Sequence, residues 1–154
     1  MAAFRFRLEK VLEWRRARLE MEEIEFKRES AALADIDQRR AACEASGIQA
    51  ELQVRAWNPV TGRDLEALGS FRLQVKAREA GLAIERAAQV EKIEIREAAM
   101  LEARRRCRLL ERLQERRAAE WRTAENRTLE AVAAETYLAQ WNRRRPPRGP
   151  RTSL

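Results

Sequence analysis

Trp57-Asn58-Pro59-Val60-Thr61-Gly62-Arg63-Asp64 is the only interior break in the chain. Pro59 disfavours helix at Asn58 and cannot itself continue one. Thr61 followed three residues later by Asp64 resembles a capping box, with Asp in place of the usual Glu or Gln. A helix should therefore restart at Gly62 or Arg63. The stretches on either side are long and almost free of helix breakers. Residues 4–56 contain no Pro and a single glycine, Gly47. From Gly62 the next proline is Pro146, and Gly69 and Gly81 are tolerated weak points.

Each stretch carries a seven-residue apolar repeat. Leu12, Leu19, Phe26 and Leu33 mark the first, with Leu8 and Ile36 at its flanks and Val11, Met21 and Ile24 widening the stripe. Its companion row carries Arg15, Glu22 and Glu29, which limits packing to a narrow line. Leu68, Val75 and Leu82 mark the second stretch, then Ile93, Met100 and Cys107, with a change of phase and a bend expected near Gly81. Helices of ~80 and ~120 Å joined by one short turn bury both stripes by folding back on each other. The expected fold is all-α, an antiparallel two-helix coiled-coil hairpin: helix over 4–56, turn over 57–62, helix over 63–142. With the turn centred near Val60, facing residues have numbers that sum to about 120. Leu19 then faces Leu101, and Cys43 lies ~45 Å from Cys107, too far for a disulfide within the chain. The second helix outlasts the first, and residues 117–142, with Trp121, Leu129, Val132, Tyr137, Leu138 and Trp141, are expected to project without a partner in the hairpin. Exposed aromatic residues of this kind bind proteins, or a second copy of the same chain. A more compact fold-back would bury them.

Of 154 residues, 37% are charged and only 6% aromatic, and Lys+Arg exceeds Asp+Glu by 7. The excess is concentrated at the end. Residues 143–154 hold Arg143, Arg144, Arg145, Arg148 and Arg151 without an acid, and their Pro and Gly content predicts a disordered basic tail. The remaining 27 basic and 25 acidic residues make a nearly neutral surface. Such a surface is poorly suited to wrapping nucleic acid. Arg104, Arg105, Arg106 and Arg108 could contact phosphate, but they alternate with Glu102 and Glu111 as on a solvated helix face. The tail suits an anionic membrane or nonspecific nucleic acid.

Several classes are disfavoured. No leader-like apolar core opens the chain and no run of 18 apolar residues occurs. There is no His, and the two cysteines are 64 residues apart, so neither a metal site nor a cofactor is expected. Without a phosphate-binding glycine loop or a nucleophile elbow, an enzyme is not expected either.

The opening Phe4-Arg5-Phe6-Arg7-Leu8-Glu9-Lys10-Val11-Leu12-Glu13-Trp14-Arg15-Arg16 resembles the start of the FliJ family of flagellar export proteins, which commonly begin Phe-x-Phe-x-Leu-x-x-Val-Leu. Trp121-Arg122-Thr123-Ala124-Glu125-Asn126-Arg127 resembles the family's C-terminal aromatic or Leu-rich helix with its Glu-x-Arg element. The resemblance implies an antiparallel coiled coil similar to the γ stalk of rotary ATPases. It implies three partners: the hexameric flagellar export ATPase, the membrane export gate and export chaperones. The ATPase-ring contacts it implies are Phe4, Phe6, Leu8, Leu12, Trp121, Glu125, Arg127, Tyr137 and Trp141. The gate contacts are Phe71, Val75 and Leu82, although Val75 and Leu82 fit the hairpin seam equally well. This chain has Arg78 where the family favours a small residue, and Thr128–Glu135 where it often has a Lys-x-Asp-Glu-like stretch. A cytoplasmic protein, peripheral at the inner face of the cell membrane, is the implied location. The stalk protein of a virulence type III secretion system, a generic coiled-coil scaffold and a basic nucleic-acid-binding protein are the alternatives.

Overall fold

The computed structural model describes residues 3–144. It contains two helices, α1 (Glu9–Ala56) and α2 (Gly62–Arg144), packed against each other as an all-α hairpin. The turn between them is terminated as its sequence dictates. Asp64 Oδ2 accepts from the Thr61 backbone N–H at 2.9 Å and from the Thr61 hydroxyl at 2.6 Å. Thr61 Oγ1 in turn accepts from the Asp64 N–H at 3.2 Å. The first backbone bond of α2 runs from Leu65 N–H to the Thr61 carbonyl. Two of the helix's orphan donors are thereby satisfied reciprocally.

Both ends of the hairpin's helices differ from expectation. The first helix begins at Glu9, not Phe4. Residues 4–8 offer no Ser, Thr, Asp or Asn to cap an earlier start; residues 3–6 have no regular structure, a turn runs from Phe6 to Glu9, and Phe6 is buried. The second helix continues to Arg144, so Arg143 and Arg144 of the expected tail belong to its last turn. Arginine is a good helix former, and its charge suits the helix C-terminus. Arg145 precedes Pro146, where the α conformation is disfavoured. Residues 145–154, including Arg145, Arg148 and Arg151 of the expected disordered tail, lie outside the described residues.

Burial shows the seam of each helix directly. In α1 the buried or half-buried positions step by three and four: Leu12, Arg15, Leu19, Glu22, Phe26, Glu29, Leu33, Ile36, then Cys43, Gly47, Ala50 and Val54. Val11, Met21 and Ile24, which widen the stripe in sequence, are exposed. In α2 the same alternation holds from Leu82 to Cys107, but steps of three, four and four occur at Leu68–Phe71–Val75–Glu79 and again at Cys107–Leu110–Gln114–Ala118. Each is a four-residue insertion into the heptad, which locally unwinds a coiled coil. The first accounts for the phase change, placing it one to two turns before Gly81. α2 runs through Gly81 without interruption.

Contacts divide the chain into two units, Glu13–Cys107, and Met1–Leu12 together with Arg108–Leu154. In Glu13–Cys107 the pairing of the two helices is antiparallel. Ion pairs cross it at Glu23–Arg104, Glu25–Arg96, Asp37–Arg86, Arg39–Glu85 and Glu51–Arg72. Gln89 donates to Glu29, and Val75 Cγ1 would lie 3.4 Å from a Cβ on Gly47. The residue numbers in these pairs sum to between 118 and 127, the register expected from a turn near Val60. Cys43 and Cys107 are both free thiols on the seam, half-buried and buried.

Candidate protein-interaction surface

In the unit formed by the N-terminal residues and the C-terminal part of α2, the Phe4 ring packs on Trp121, with centroids 6.2 Å apart and planes tilted by 49°. Phe6 is buried and Leu12 is only 1% exposed. Trp121 therefore has a partner, contrary to the expectation that residues from 117 onward project alone. The reason is where the helix stops. Residues 3–6 have no regular structure and Phe6–Glu9 form a turn closed by the Glu9 N–H on the Phe6 carbonyl at 3.2 Å, so Phe4 leaves the helical line and packs on Trp121. The signal was present in sequence: Phe4 and Phe6 alternate with Arg5 and Arg7, the period of a strand rather than a helix.

Beyond Glu125 the helix has no covered face. Every residue from Asn126 to Arg144 is exposed. Leu129 and Val132 continue the line of Trp121 and Glu125. Tyr137 and Trp141, one turn apart, share the opposite face, and Tyr137 is 67% exposed. Tyr137, Gln140, Trp141 and Arg144 border a shallow open groove of about 350 Å³. The side chains of Thr123, Thr128 and Thr136 donate back to carbonyls four residues earlier, so this helix satisfies its hydroxyls within itself. The result is a helix end with large apolar side chains unburied on more than one face. This surface is able to seat protein and offers no enclosed chemistry.

The expected ring-contact residues fall into three groups. Phe6 and Leu12 are buried inside the unit and hold it together. Phe4, Trp121 and Glu125 are half-buried around the ring contact. Leu8, Arg127, Tyr137 and Trp141 are exposed. Of the expected gate residues, Val75 is buried beside Gly47, whereas Phe71 and Leu82 are half-buried seam residues. Arg143 and Arg144 sit exposed in the last turn of α2.

Three arginines of the cluster are ion-paired. Arg104 bonds Glu23 at 3.1 Å, Arg106 bonds Glu102 at 2.7 Å, and Arg105 lies 3.9 Å from the same carboxylate. Among the described residues no group of His, Cys, Asp or Glu forms a metal-binding cluster, and no helix is long and apolar enough to cross a membrane. No protein-family model, no curated protein and no solved structure matches the chain.

Proposed function

We infer that this chain is a non-enzymatic coiled-coil stalk protein of the FliJ type, which binds the hexameric flagellar export ATPase and links it to the export gate and chaperones. The observation that carries the reading is the Phe4–Trp121 contact. The two segments that resemble the family, Phe4–Arg16 and Trp121–Arg127, are far apart in sequence, yet their leading aromatic residues pack together. The exposed helix from Asn126 to Arg144 then supplies the ring contact, with Arg127, Tyr137 and Trp141 as its outward groups. Phe71 and Leu82 are the gate contacts that keep some exposure; Val75 serves the seam. The arginines at the C-terminus hold the protein at the anionic inner face of the cell membrane, which makes it cytoplasmic and peripheral.

The ion-paired arginine cluster supports a solvated face over a nucleic-acid groove. A stalk that works inside a ring meets similar subunits with different faces. Exposed ion pairs suit that task, because each contributes little and exchanges partners readily.

Co-purification of the full chain with the export ATPase tests the reading. Binding is expected for the whole chain, to be lost on truncation after Glu125 and to weaken at least ~10-fold in Tyr137→Ala/Trp141→Ala. Undiminished binding by the truncated chain refutes the assignment. Binding to a virulence-type secretion ATPase in preference to the flagellar one moves the protein to that sibling system.

A further inference from the structure

The outer face of α2 carries a second heptad seam. Ala77, Gly81, Ile84, Ala88, Glu91 and Ile95 follow one another by alternating steps of four and three, and all six are exposed. Ile84 and Ile95 are 73% and 70% exposed, among the most open large apolar side chains of the molecule. In a chain that is 37% charged, this line holds one charge in six. It lies entirely within the Glu13–Cys107 unit; Ile84, Ala88, Glu91 and Ile95 fall on the side of α2 away from the seam of Leu82, Arg86, Gln89 and Ile93, and Gly81 borders the groove that Arg39, Ala42 and Cys43 also line.

Gly81 leaves room on this line. Among the described residues no glycine has a positive φ, and a Cβ on Gly81 would meet no atom within 4 Å, so a neighbouring backbone can approach closely here.

We propose that this face is the interface of a reversible antiparallel homodimer, α2 against α2 of a second copy. Placed about a two-fold axis near residue 86, the stripe is complementary to itself. Ile84 meets Ala88 of the second copy, Ile95 meets Ala77, and Glu91 meets Gly81. Every layer therefore matches a large side chain with a small one, the interdigitation that close packing demands. A parallel pairing instead stacks Glu91 on Glu91 and Gly81 on Gly81. The antiparallel register also answers the single charge. Glu91, crossing over Gly81 of the second copy, comes within one helical turn of that copy's Arg78. Neither residue has an ion-pair partner among the described residues. Two symmetric Glu91–Arg78 bonds close the ends of the contact. Two helices touching over about 27 Å bury less than the ~1,200–2,000 Å² of a stable interface, so the dimer forms and dissociates with concentration.

Sedimentation equilibrium of the full chain across micromolar to millimolar concentration tests the proposal. A monomer–dimer equilibrium is expected. Ile84→Arg should weaken it at least ~10-fold, and Gly81→Leu should do the same while leaving monomer helicity intact or higher. Arg78→Glu and Glu91→Arg should each weaken it several-fold, and the double variant should recover most of the loss, a rescue that general surface charge does not produce. A wild-type chain that stays monomeric throughout overturns the proposal. So does a dimer indifferent to Ile84→Arg and Gly81→Leu, which would place the contact elsewhere, for instance on the helix after Glu125. Weakening by the charge variants without rescue overturns the antiparallel register.

Discussion

At the scale of single residues, the seam tolerates polar groups only where they find partners. Gln89 is buried, and its Nε2 donates to the Glu29 carbonyl at 3.0 Å and to Glu29 Oε2 at 2.6 Å. A polar layer of this kind costs stability but fixes register. Gln89→Ala should destabilise by about 1.5–3 kcal/mol, because it strips a donor from a carboxylate. Glu29→Leu/Gln89→Leu should be at least as stable as the parent. Urea unfolding of the two variants separates these outcomes, and a neutral Gln89→Ala would remove the layer's structural role. Glu22 is a different case. Its side chain is 12% exposed; Oε1 lies 3.3 Å from Arg18, and the buried Oε2 has no partner. Glu22→Leu should therefore stabilise by about 1–3 kcal/mol, read as a higher urea midpoint with an unchanged slope. The glycines divide by the same logic. Gly69 has open space around its Cα, so Gly69→Ala should gain about 0.5–1 kcal/mol. At Gly47 a Cβ would touch Val75 at 3.4 Å, an ordinary contact that leaves Ala tolerated but a larger side chain in conflict with the opposing helix.

At the scale of elements, the start of α2 is governed by one reciprocal cap. The Thr61 hydroxyl, and after it the Thr61 backbone N–H, hold the Asp64 carboxyl below the ordinary carboxylate range. A folded pKa that is depressed contributes stability above the unfolded value and loses it as pH falls through the folded one. The cap should thus be intact above about pH 4 and fade below it. Amide protection at Asp64 and Leu65, measured relative to the intrinsic exchange rate at each pH, should fall on acidification, and Asp64→Asn should flatten that dependence. A wild-type profile without an acid limb in these amides would show that the cap is not needed to hold the helix start. The helices themselves needed little beyond sequence to locate. Pro59, the Thr61–Asp64 pair and Pro146 set three of the four boundaries to within two residues. The fourth escaped because residues 4–8 contain no breaker. Only the burial of Phe6 and the Phe4–Trp121 contact favour non-helical chain there over another turn of helix.

At the scale of the molecule, both helices carry apolar residues on more than one side. That is why the partner seam was legible and the remaining apolar surface was not. Leu12, Leu19, Phe26 and Leu33 repeat strictly and turn out to be covered or half-covered; Met21, Ile24, Ile84 and Ile95 look no less apolar in sequence and are exposed. The five ion pairs across Glu13–Cys107 involve side chains that are roughly 37–52% exposed. They select register more than they stabilise. Arg39 is held above its ordinary range chiefly by its hydrogen bond to Glu85, so its guanidinium stays charged across physiological pH. Raising salt from low to physiological concentration should leave far-UV helicity nearly unchanged. A large loss would show the hairpin to be electrostatic rather than seam-driven.

Sequence alone determined that the chain is two long helices joined by one capped turn, because breakers, caps and heptad spacing act locally and leave few other ways to bury the stripes. It also fixed the antiparallel register, because a short turn ties residue numbers together across the seam. Only the tertiary structure decided which apolar residues remain uncovered, that Phe4 reaches Trp121, and that Gly81 faces open space. Those outcomes depend on where the backbone stops being helical and on which face each partner covers, and no single stretch of sequence records either.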